Sequence, residues 1–361
     1  MKVGILTFHY AYNYGAVLQA YATQEILKNM GHEAVVIDYH NKKINENYSK
    51  RKFLFSNFIK SGLKAPFYLL SKFYYWRRRK NYKIFVDNYL NLAETYVFEK
   101  ENIAFSDFDL ILIGSDQVWN YKLTGGFDNV YWGNFKKARN TRIVGWSVCM
   151  DYYDLTPNDV NYVVNSLDKF YAISVREKTL QNYLFSLTNK TYQQTLDPTL
   201  MLPNDSWEKI CQPIKERGYI AVYAVQDEVK TIKFAHELAK RLKKKVIIIR
   251  SYSTYHWTSE NKEFCGPIEF LSYLRQADYV VTTSFHGTVF SVLFQKQFFI
   301  PVFRENNRIE SLLELLGIKE RRILLPNQID NIIGIDYNIV AQKLNAAKIS
   351  TSEYLAHVLE Q

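Results

Sequence analysis

A run of polar residues around His286 has the composition best suited to chemistry. A β-branched strand is predicted over residues 279–283, and a helix is predicted to begin at Gly287. Unpaired amides at a helix start attract an anion, and a histidine placed there can bind phosphate or donate a proton. We therefore predict His286 as a catalytic acid, with Ser284, Gly287 and Thr288 binding an anion. A capping or packing role for the histidine is the alternative.

Arg176 is also predicted to lie at the carboxyl end of a strand, because it follows the predicted strand 171–175. A guanidinium in that position can bind a carboxylate or a phosphate through two parallel hydrogen bonds. The alternative is a surface ion pair with Glu177 or Glu25.

The loop 9–16 occupies the position of a phosphate-binding turn. It lacks the GxGxxG spacing, so dinucleotide binding is not indicated. Its candidate substrate-binding residues are Asn13, Tyr14 and Gly15. Asn13 would equally cap a helix, and the whole loop would equally serve as a structural turn.

The loop 114–120 combines a carboxylate, amides and an indole, a mixture typical of carbohydrate recognition. Its candidates are Ser115, Asp116, Gln117 and Trp119. Asp116 can act as a base toward a hydroxyl nucleophile, or cap a helix. Trp119 can stack on a sugar face, or pack in the core. Since no HExxH motif and no cysteine–histidine cluster occurs, we expect no catalytic metal.

These candidates follow strands of two successive predicted βα series. The strands are predicted at residues 2–8, 34–38, 108–113, 143–148, 171–175 and 194–196, then at 219–225, 246–250, 279–283 and 298–302. We predict an α/β protein with two doubly wound Rossmann-like domains, residues 1–203 and 204–361, facing across a cleft. Ligands of such sheets bind beyond the carboxyl ends of the strands, so the candidates should converge on that cleft.

The composition and charge of the chain indicate which classes of protein it can belong to. A chain of 361 residues with 47% hydrophobic and 23% charged residues is globular, and its length favours two domains. Its net charge of +10 comes from one stretch, which has eleven basic residues and no acidic residue between Glu46 and Asp87. A uniformly basic nucleic-acid surface is therefore disfavoured. The stretch belongs to a basic, aromatic and helical insertion at about 46–100.

The ordered motifs of the chain resemble the polysaccharide pyruvyl transferase family. In family order from residue 3 to about 302 they are Gly4-Ile5-Leu6-Thr7, Asn13-Tyr14-Gly15-Ala16, Gln19-Ala20, Gly114-Ser115-Asp116-Gln117-Val118-Trp119-Asn120, Ser174-Val175-Arg176-Glu177, Leu196-Asp197-Pro198-Thr199-Leu200 and Ser284-Phe285-His286-Gly287. The resemblance implies a GT-B-like fold whose last helix crosses back to the first domain. It also implies transfer of the enolpyruvyl unit of phosphoenolpyruvate to a sugar, without a further cofactor.

By this resemblance, Arg176 and His286 match the family's phosphoenolpyruvate-binding positions. Some members carry an arginine where this chain has Ser284. The donor would then be held by another cation, for which Arg250, Arg304 and Arg308 are the candidates.

The family's role suggests an acceptor sugar on a lipid carrier. Residues 50–83 alternate basic and aromatic side chains, a pattern suited to helices on an anionic membrane surface, although a packed helical insertion is the alternative. With three scattered cysteines and an amino terminus that opens on a strand, we expect a cytoplasmic protein, either free in the cytosol or peripheral on the inner face of the cell membrane.

Two other functions fit the sequence less well. A GT-B glycosyltransferase that uses a nucleotide sugar needs the same cleft and anion site. A non-catalytic protein that binds anions or nucleic acid would use the basic stretch, but no nucleic-acid module is visible and we expect no such partner.

Overall fold

The computed structural model describes residues 1–49, 65–93, 104–105, 107–250, 261–262, 265–325, 327–328 and 334–360. Two six-stranded sheets, each with all neighbouring strands parallel, confirm the predicted α/β class. The last strand of the first sheet ends at Gln194 and the first strand of the second begins at Tyr219. The boundary between residues 203 and 204 stays a prediction within that connection.

The first sheet and its helices occupy the N-terminal part of the chain. In chain order the elements are β1 (Lys2–Leu6), α1 (Tyr14–Asn29), β2 (Glu33–Val36), α2 (Lys42–Ser49), α3 (Ala65–Tyr89), β3 (Ala104–Phe105), β4 (Leu110–Ile113), α4 (Tyr121–Thr124), β5 (Lys136–Lys137), β6 (Arg142–Val148), α5 (Pro157–Leu167), β7 (Ala172–Val175), α6 (Lys178–Thr188) and β8 (Gln193–Gln194). The strand order is β2-β1-β4-β6-β7-β8, while β3 and β5 form a separate pair.

The second sheet is built in the same way. Its part of the chain contains α7 (Pro198–Met201), α8 (Asn204–Ile210), β9 (Tyr219–Tyr223), α9 (Glu228–Leu242), β10 (Lys245–Ile249), β11 (Asn261–Lys262), α10 (Pro267–Gln276), β12 (Tyr279–Thr282), α11 (Phe285–Leu293), β13 (Gln297–Pro301), α12 (Asn307–Leu316), β14 (Arg322–Ile323) and α13 (Tyr337–Leu359). The strand order is β11-β10-β9-β12-β13-β14.

The strand orders place the candidate loops. In the first sheet the chain moves from β1 outward to β2 and then returns to β4 on the other side, and in the second β9 and β12 stand in the same relation. Ligands of doubly wound sheets bind at such switch points, beyond the carboxyl ends of the strands. The loop 114–120 follows β4, and His286 follows β12. The topology therefore places the loop 114–120 and His286 where doubly wound sheets bind their ligands.

Buried apolar strands and one aromatic contact hold the site in place. All four residues of β4 are buried, as expected of a parallel strand covered on both faces. Tyr14, at the start of α1, stacks on Phe270 of the second domain with ring centroids 4.5 Å apart. Its hydroxyl donates to the carbonyl oxygens of Arg250 and Cys265. The start of α1 is thus packed directly against the second domain.

The last helix, α13, contacts both domains. The Leu196 amide donates to Thr351 Oγ1 at 3.0 Å, and the Tyr354 hydroxyl donates to the Gly145 carbonyl at 2.7 Å. Near the other end of α13, the Tyr337 hydroxyl donates to the Ser291 carbonyl of α11. The helix therefore forms one wall between the two domains.

The basic segment is partly internal. In α3, Arg78 is buried, and its Nη2 donates to the Tyr12 carbonyl at 2.8 Å while its guanidinium lies over the Tyr82 ring. Phe73 and Trp76 of the same helix are 47% and 57% exposed. Arg78 is therefore a packing residue, and residues 50–64 of the segment lie outside the described residues. Within the described part of the chain, no helix is long and apolar enough to span a bilayer.

Candidate functional site

The carboxylate of Asp197 lies at the centre of the candidate site. It caps α7, where Oδ1 accepts from the Thr199 amide at 3.0 Å and from the Thr199 hydroxyl at 2.6 Å. Its Oδ2 accepts from Ser115 Oγ at 3.1 Å and from Arg176 Nη1 at 2.6 Å. This buried carboxylate fixes the position of two predicted site residues.

Neighbouring groups keep the Asp197 carboxyl ionised. Burial would raise the pKa of this carboxyl, but the His286 imidazole and the Arg176 guanidinium outweigh burial and hold the pKa well below its usual range. His286 Nε2 lies 3.7 Å from Asp197 Oδ2. The site therefore contains an ionised carboxylate beside two cationic or protonatable groups.

Arg176 is 5% exposed, and only part of its guanidinium is hydrogen-bonded to other protein groups. Beyond its bond to Asp197, Nη2 lies 3.6 Å from Asp116 Oδ1, and the guanidinium lies 4.4 Å from the Phe285 ring centroid. Among the described residues, Nε and Nη2 have no hydrogen-bond partner. A buried guanidinium with two unused donor nitrogens is equipped to bind an anion. The surface ion pair considered from sequence is not what the structure shows.

His286 lies in the first turn of α11, which begins two residues earlier than predicted. Ser284 Oγ accepts from the Gly287 amide and so starts the helix at Phe285. The His286 side chain is buried, and its Nε2 has no hydrogen-bond partner within the described ranges. Its ring lies against Gly15 of the first domain, where even one methyl group would overlap it. The imidazole is thus positioned by both domains.

A polar bridge crosses the cleft beside Arg176. Gln117 Nε2 donates to Asp151 Oδ2 at 2.7 Å, and Arg308 Nη2 of α12 donates to the same oxygen at 3.2 Å. Arg308 Nε is buried and has no hydrogen-bond partner in the described part of the chain. The cleft therefore holds a second arginine with an unused donor.

A cavity of about 470 Å³ opens at Arg176, within the range of roughly 300–1,000 Å³ usual for small-molecule sites. Its polar lining includes Arg176, Asp197, Arg308 and Lys343, and its walls come from the first domain, α12 and α13. His286 and Asp116 do not line the cavity themselves, but they contact Asp197 and Arg176, which do. The cavity is a cationic interdomain pocket.

Trp119 packs in the core, which corrects the expectation that it stacks on a sugar. The indole is fully buried, stacks on Trp132 at 4.5 Å and donates to the Tyr131 carbonyl. Tyr14 is likewise fully buried in the contact between domains. Neither ring is therefore available to a substrate, although both residues were predicted from sequence to bind one.

Three other predicted ligand-binding residues make helix-start contacts. Asn13 Oδ1 accepts from the Gly15 amide at 3.0 Å and caps α1. Thr288 is fully buried and donates to the Ser284 carbonyl, while the Gly287 amide is used by Ser284 Oγ. For Gly287 and Thr288 this corrects the expected contact with an anion, because their donors are satisfied within the helix.

The contacts of Arg250, Arg304 and Arg308 show which of these three candidates lies close enough to Arg176 to bind the same ligand. Arg250 pairs with Glu228 at 2.8 Å, and Arg304 is 68% exposed and pairs with Asp227 at 3.0 Å. Arg308 alone of the three lines the cavity of Arg176.

Sequence reasoning missed Asp197 and Lys343 as site residues and named Arg308 only as one of three alternatives. For Asp197 a signal was present, since an aspartate followed by proline after a strand is typical of a helix cap at a strand end. Arg308 and Lys343 reach the cavity only through the packing of α12 and α13.

Comparison with known proteins agrees with this architecture. The chain is similar to a Listeria monocytogenes protein assigned as a UDP-N-acetylglucosamine 2-epimerase, with 12% identity and a TM-score of 0.51 over 100% of this chain and 97% of that one. It is also similar to another UDP-N-acetylglucosamine 2-epimerase, with 10% identity and a TM-score of 0.50 over 100% and 96%. Likeness at this identity shows the fold, which is GT-B-like.

Comparison of the sequence with models of protein families identifies the family. No curated protein matches the chain. The model of the family described as polysaccharide pyruvyl transferase matches residues 13–300, a range that includes Gly15, Asp116, Arg176, Asp197 and His286. Because this match covers far more than half of the chain and contains the central residues of the site, the protein belongs to the polysaccharide pyruvyl transferase family.

Proposed function

We propose that this protein transfers the enolpyruvyl unit of phosphoenolpyruvate to a sugar, forms a pyruvate ketal and releases phosphate. The observation that carries the proposal is the buried Arg176 guanidinium, whose Nε and Nη2 have no hydrogen-bond partner among the described residues and which lines a cationic cavity. Phosphoenolpyruvate carries both a carboxylate and a phosphate, so it suits a site with more than one cation.

In this proposal Arg176 and Arg308 bind the donor together. Both line the cavity, both have an unused donor nitrogen within the described residues, and they come from different domains. Arg308 thereby supplies the cation that some family members place where this chain has Ser284. Lys343 adds a further positive charge from α13.

The reaction follows from the groups around Arg176. A sugar hydroxyl adds to the central carbon of phosphoenolpyruvate, Asp116 accepts the hydroxyl proton, and His286 protonates the methylene carbon to give a methyl group. A second hydroxyl then bonds to the same carbon, the carbon–oxygen bond to phosphate breaks, and the proton leaves with phosphate. Arg176 stabilises the charge that grows on the departing phosphate.

The acceptor in this proposal is a sugar on a lipid-linked polysaccharide precursor. The segment 50–83 then contacts an anionic membrane from the cytoplasmic side. The exposed Phe73 and Trp76 of α3, with Lys80 over the Trp76 ring, support this placement. Arg78 does not take part, because it is used in packing against Tyr12 and Tyr82.

A ligand titration tests the donor. We expect phosphoenolpyruvate to raise the midpoint of thermal unfolding by a few degrees at saturation, because a ligand that binds only the folded state stabilises it by mass action. UDP-N-acetylglucosamine and inorganic phosphate at equal ionic strength are the controls. Stabilisation by the nucleotide sugar without any by phosphoenolpyruvate would instead favour the glycosyltransferase function.

A methyl group at Gly15 tests the position of His286. Gly15→Ala is expected to lower phosphate release on the order of 100-fold, because the added carbon displaces the imidazole that lies against it. Alanine is otherwise the better helix former by roughly 1 kcal/mol, so the helix itself gives no reason for a loss. Steady-state phosphate release is the measurement, with circular dichroism as the check on folding. Wild-type turnover in a folded variant would remove the Gly15 contact from the mechanism.

A further inference from the structure

Three side chains converge beyond the ends of β1 and β2, outside the cavity described above. They are His9, in the loop after β1, and Asp38 and His40, in the loop after β2. Because β1 and β2 are parallel neighbours, their carboxyl ends lie at the same sheet edge. Two loops far apart in sequence thus place two imidazoles and one carboxylate together.

The geometry of this trio is compact. His9 Nε2 lies 2.8 Å and His40 Nε2 lies 2.5 Å from the same oxygen, Asp38 Oδ1, and the ligand atoms of all three residues lie within 4.8 Å of one another. Of the described residues, no other set of three histidine, cysteine or acidic side chains converges in this way.

The tautomer of His9 is set by its second nitrogen. Nδ1 lies 3.3 Å from the Thr7 carbonyl oxygen, which can only accept, so Nδ1 carries the hydrogen. In the neutral ring Nε2 is then an acceptor, and it faces a carboxylate oxygen at 2.8 Å. Two acceptors at this distance require a cation between them, either a proton or a metal ion.

We infer that His9, Asp38 and His40 bind a divalent transition metal ion of the zinc class. A histidine that donates its other ring nitrogen to a backbone carbonyl is the usual support of a metal ligand. His9 is 1% exposed, and a second imidazole nitrogen, that of His40, points at the same Asp38 oxygen. Two imidazoles and one carboxylate are ligands that Zn²⁺ accepts, with the fourth position left for water.

The ligand distances allow such an ion with little rearrangement. Bonds of about 2.0–2.1 Å in tetrahedral geometry set ligand atoms about 3.3 Å apart, which small rotations of the partly exposed His40 and Asp38 side chains provide. The ion would join the loop that begins at His9 to the loop after β2. Thr7 extends this connection, since its hydroxyl donates to the Ser115 carbonyl in the loop that contacts Asp197.

Metal titration of the whole protein tests the inference. After dialysis against a chelator, we expect one Zn²⁺ per chain by calorimetry, and one Co²⁺ with the visible absorption of a four-coordinate site. His40→Ala and Asp38→Asn should each weaken binding by more than about 100-fold, since loss of a ligand costs more than loss of a supporting contact. His357→Ala, an exposed histidine of α13, is the matched control and should bind as the wild type does.

The outcomes are distinct. Circular dichroism without metal shows whether each variant folds, so weakened binding in a folded His40→Ala variant supports the site. Absence of stoichiometric binding by the wild type would overturn the inference and leave an imidazolium–carboxylate pair. Binding that is unchanged in both ligand variants would also overturn it. None of these readouts depends on catalysis, so the result is independent of the proposed pyruvyl transfer.

Discussion

Replacing Arg176 with lysine is expected to lower phosphate release from phosphoenolpyruvate by about 100-fold or more. The guanidinium donates through Nη1 to Asp197 and keeps Nε and Nη2 for the donor, whereas a lysine has a single nitrogen that cannot do both. Initial rates of phosphate release with a saturating acceptor measure the effect.

The choice of lysine keeps the experiment interpretable. Arg176→Ala would remove the guanidinium from the buried Asp197 carboxylate, which costs on the order of 3–5 kcal/mol and confounds activity with folding. Arg275→Lys is the matched control, because Arg275 is partly exposed and pairs with Glu208 instead of lining the cavity. Turnover of Arg176→Lys close to that of the control would exclude Arg176 from donor binding.

Replacing His286 with glutamine is expected to lower kcat by roughly 10²–10⁴-fold while the donor still binds. Glutamine fills similar space beside Gly15 but has no titratable proton to give to the methylene carbon. Phosphate release reports the chemical step, and thermal stabilisation by phosphoenolpyruvate reports binding separately. A loss of rate with retained stabilisation identifies the acid rather than a binding residue.

A second histidine variant controls for this result. His357→Gln changes an exposed histidine in α13 and should keep wild-type turnover. If His286→Gln also turns over at the wild-type rate, the proton comes from another group. If the rate and the stabilisation by phosphoenolpyruvate fall together, His286 holds the donor instead.

Arg176→Lys and His286→Gln change neighbouring groups, so their effects on the rate should not be additive in the double variant. Arg176 and His286 both contact Asp197 Oδ2, from different domains. Residues that share a partner usually show coupled effects. The site therefore depends on the relative placement of the two domains as well as on each residue.

Much of the fold could be predicted from local patterns. Uninterrupted apolar runs such as the one over residues 108–113 predicted buried parallel strands, and the structure has the buried strand Leu110–Ile113 there. Because strand ends are visible in sequence, Arg176, Asp116 and His286 could be identified as candidates at the correct edges of the sheets. These signals are local, and the chain carries them without reference to its tertiary contacts.

Contacts between distant parts of the chain were decided only by the tertiary structure. Burial of Trp119, the internal position of Arg78 and the placement of Arg308 on the cavity each depend on how separate elements pack. The convergence of His9 with Asp38 and His40 depends on the pairing of β1 with β2. By itself the sequence determined which residues stand at strand ends, because periodicity and turn residues are local. Which of them meet, and around which carboxylate, was decided by packing. These contacts join distant positions, such as Asp197 and His286, which are 89 residues apart, and so they have no local signature.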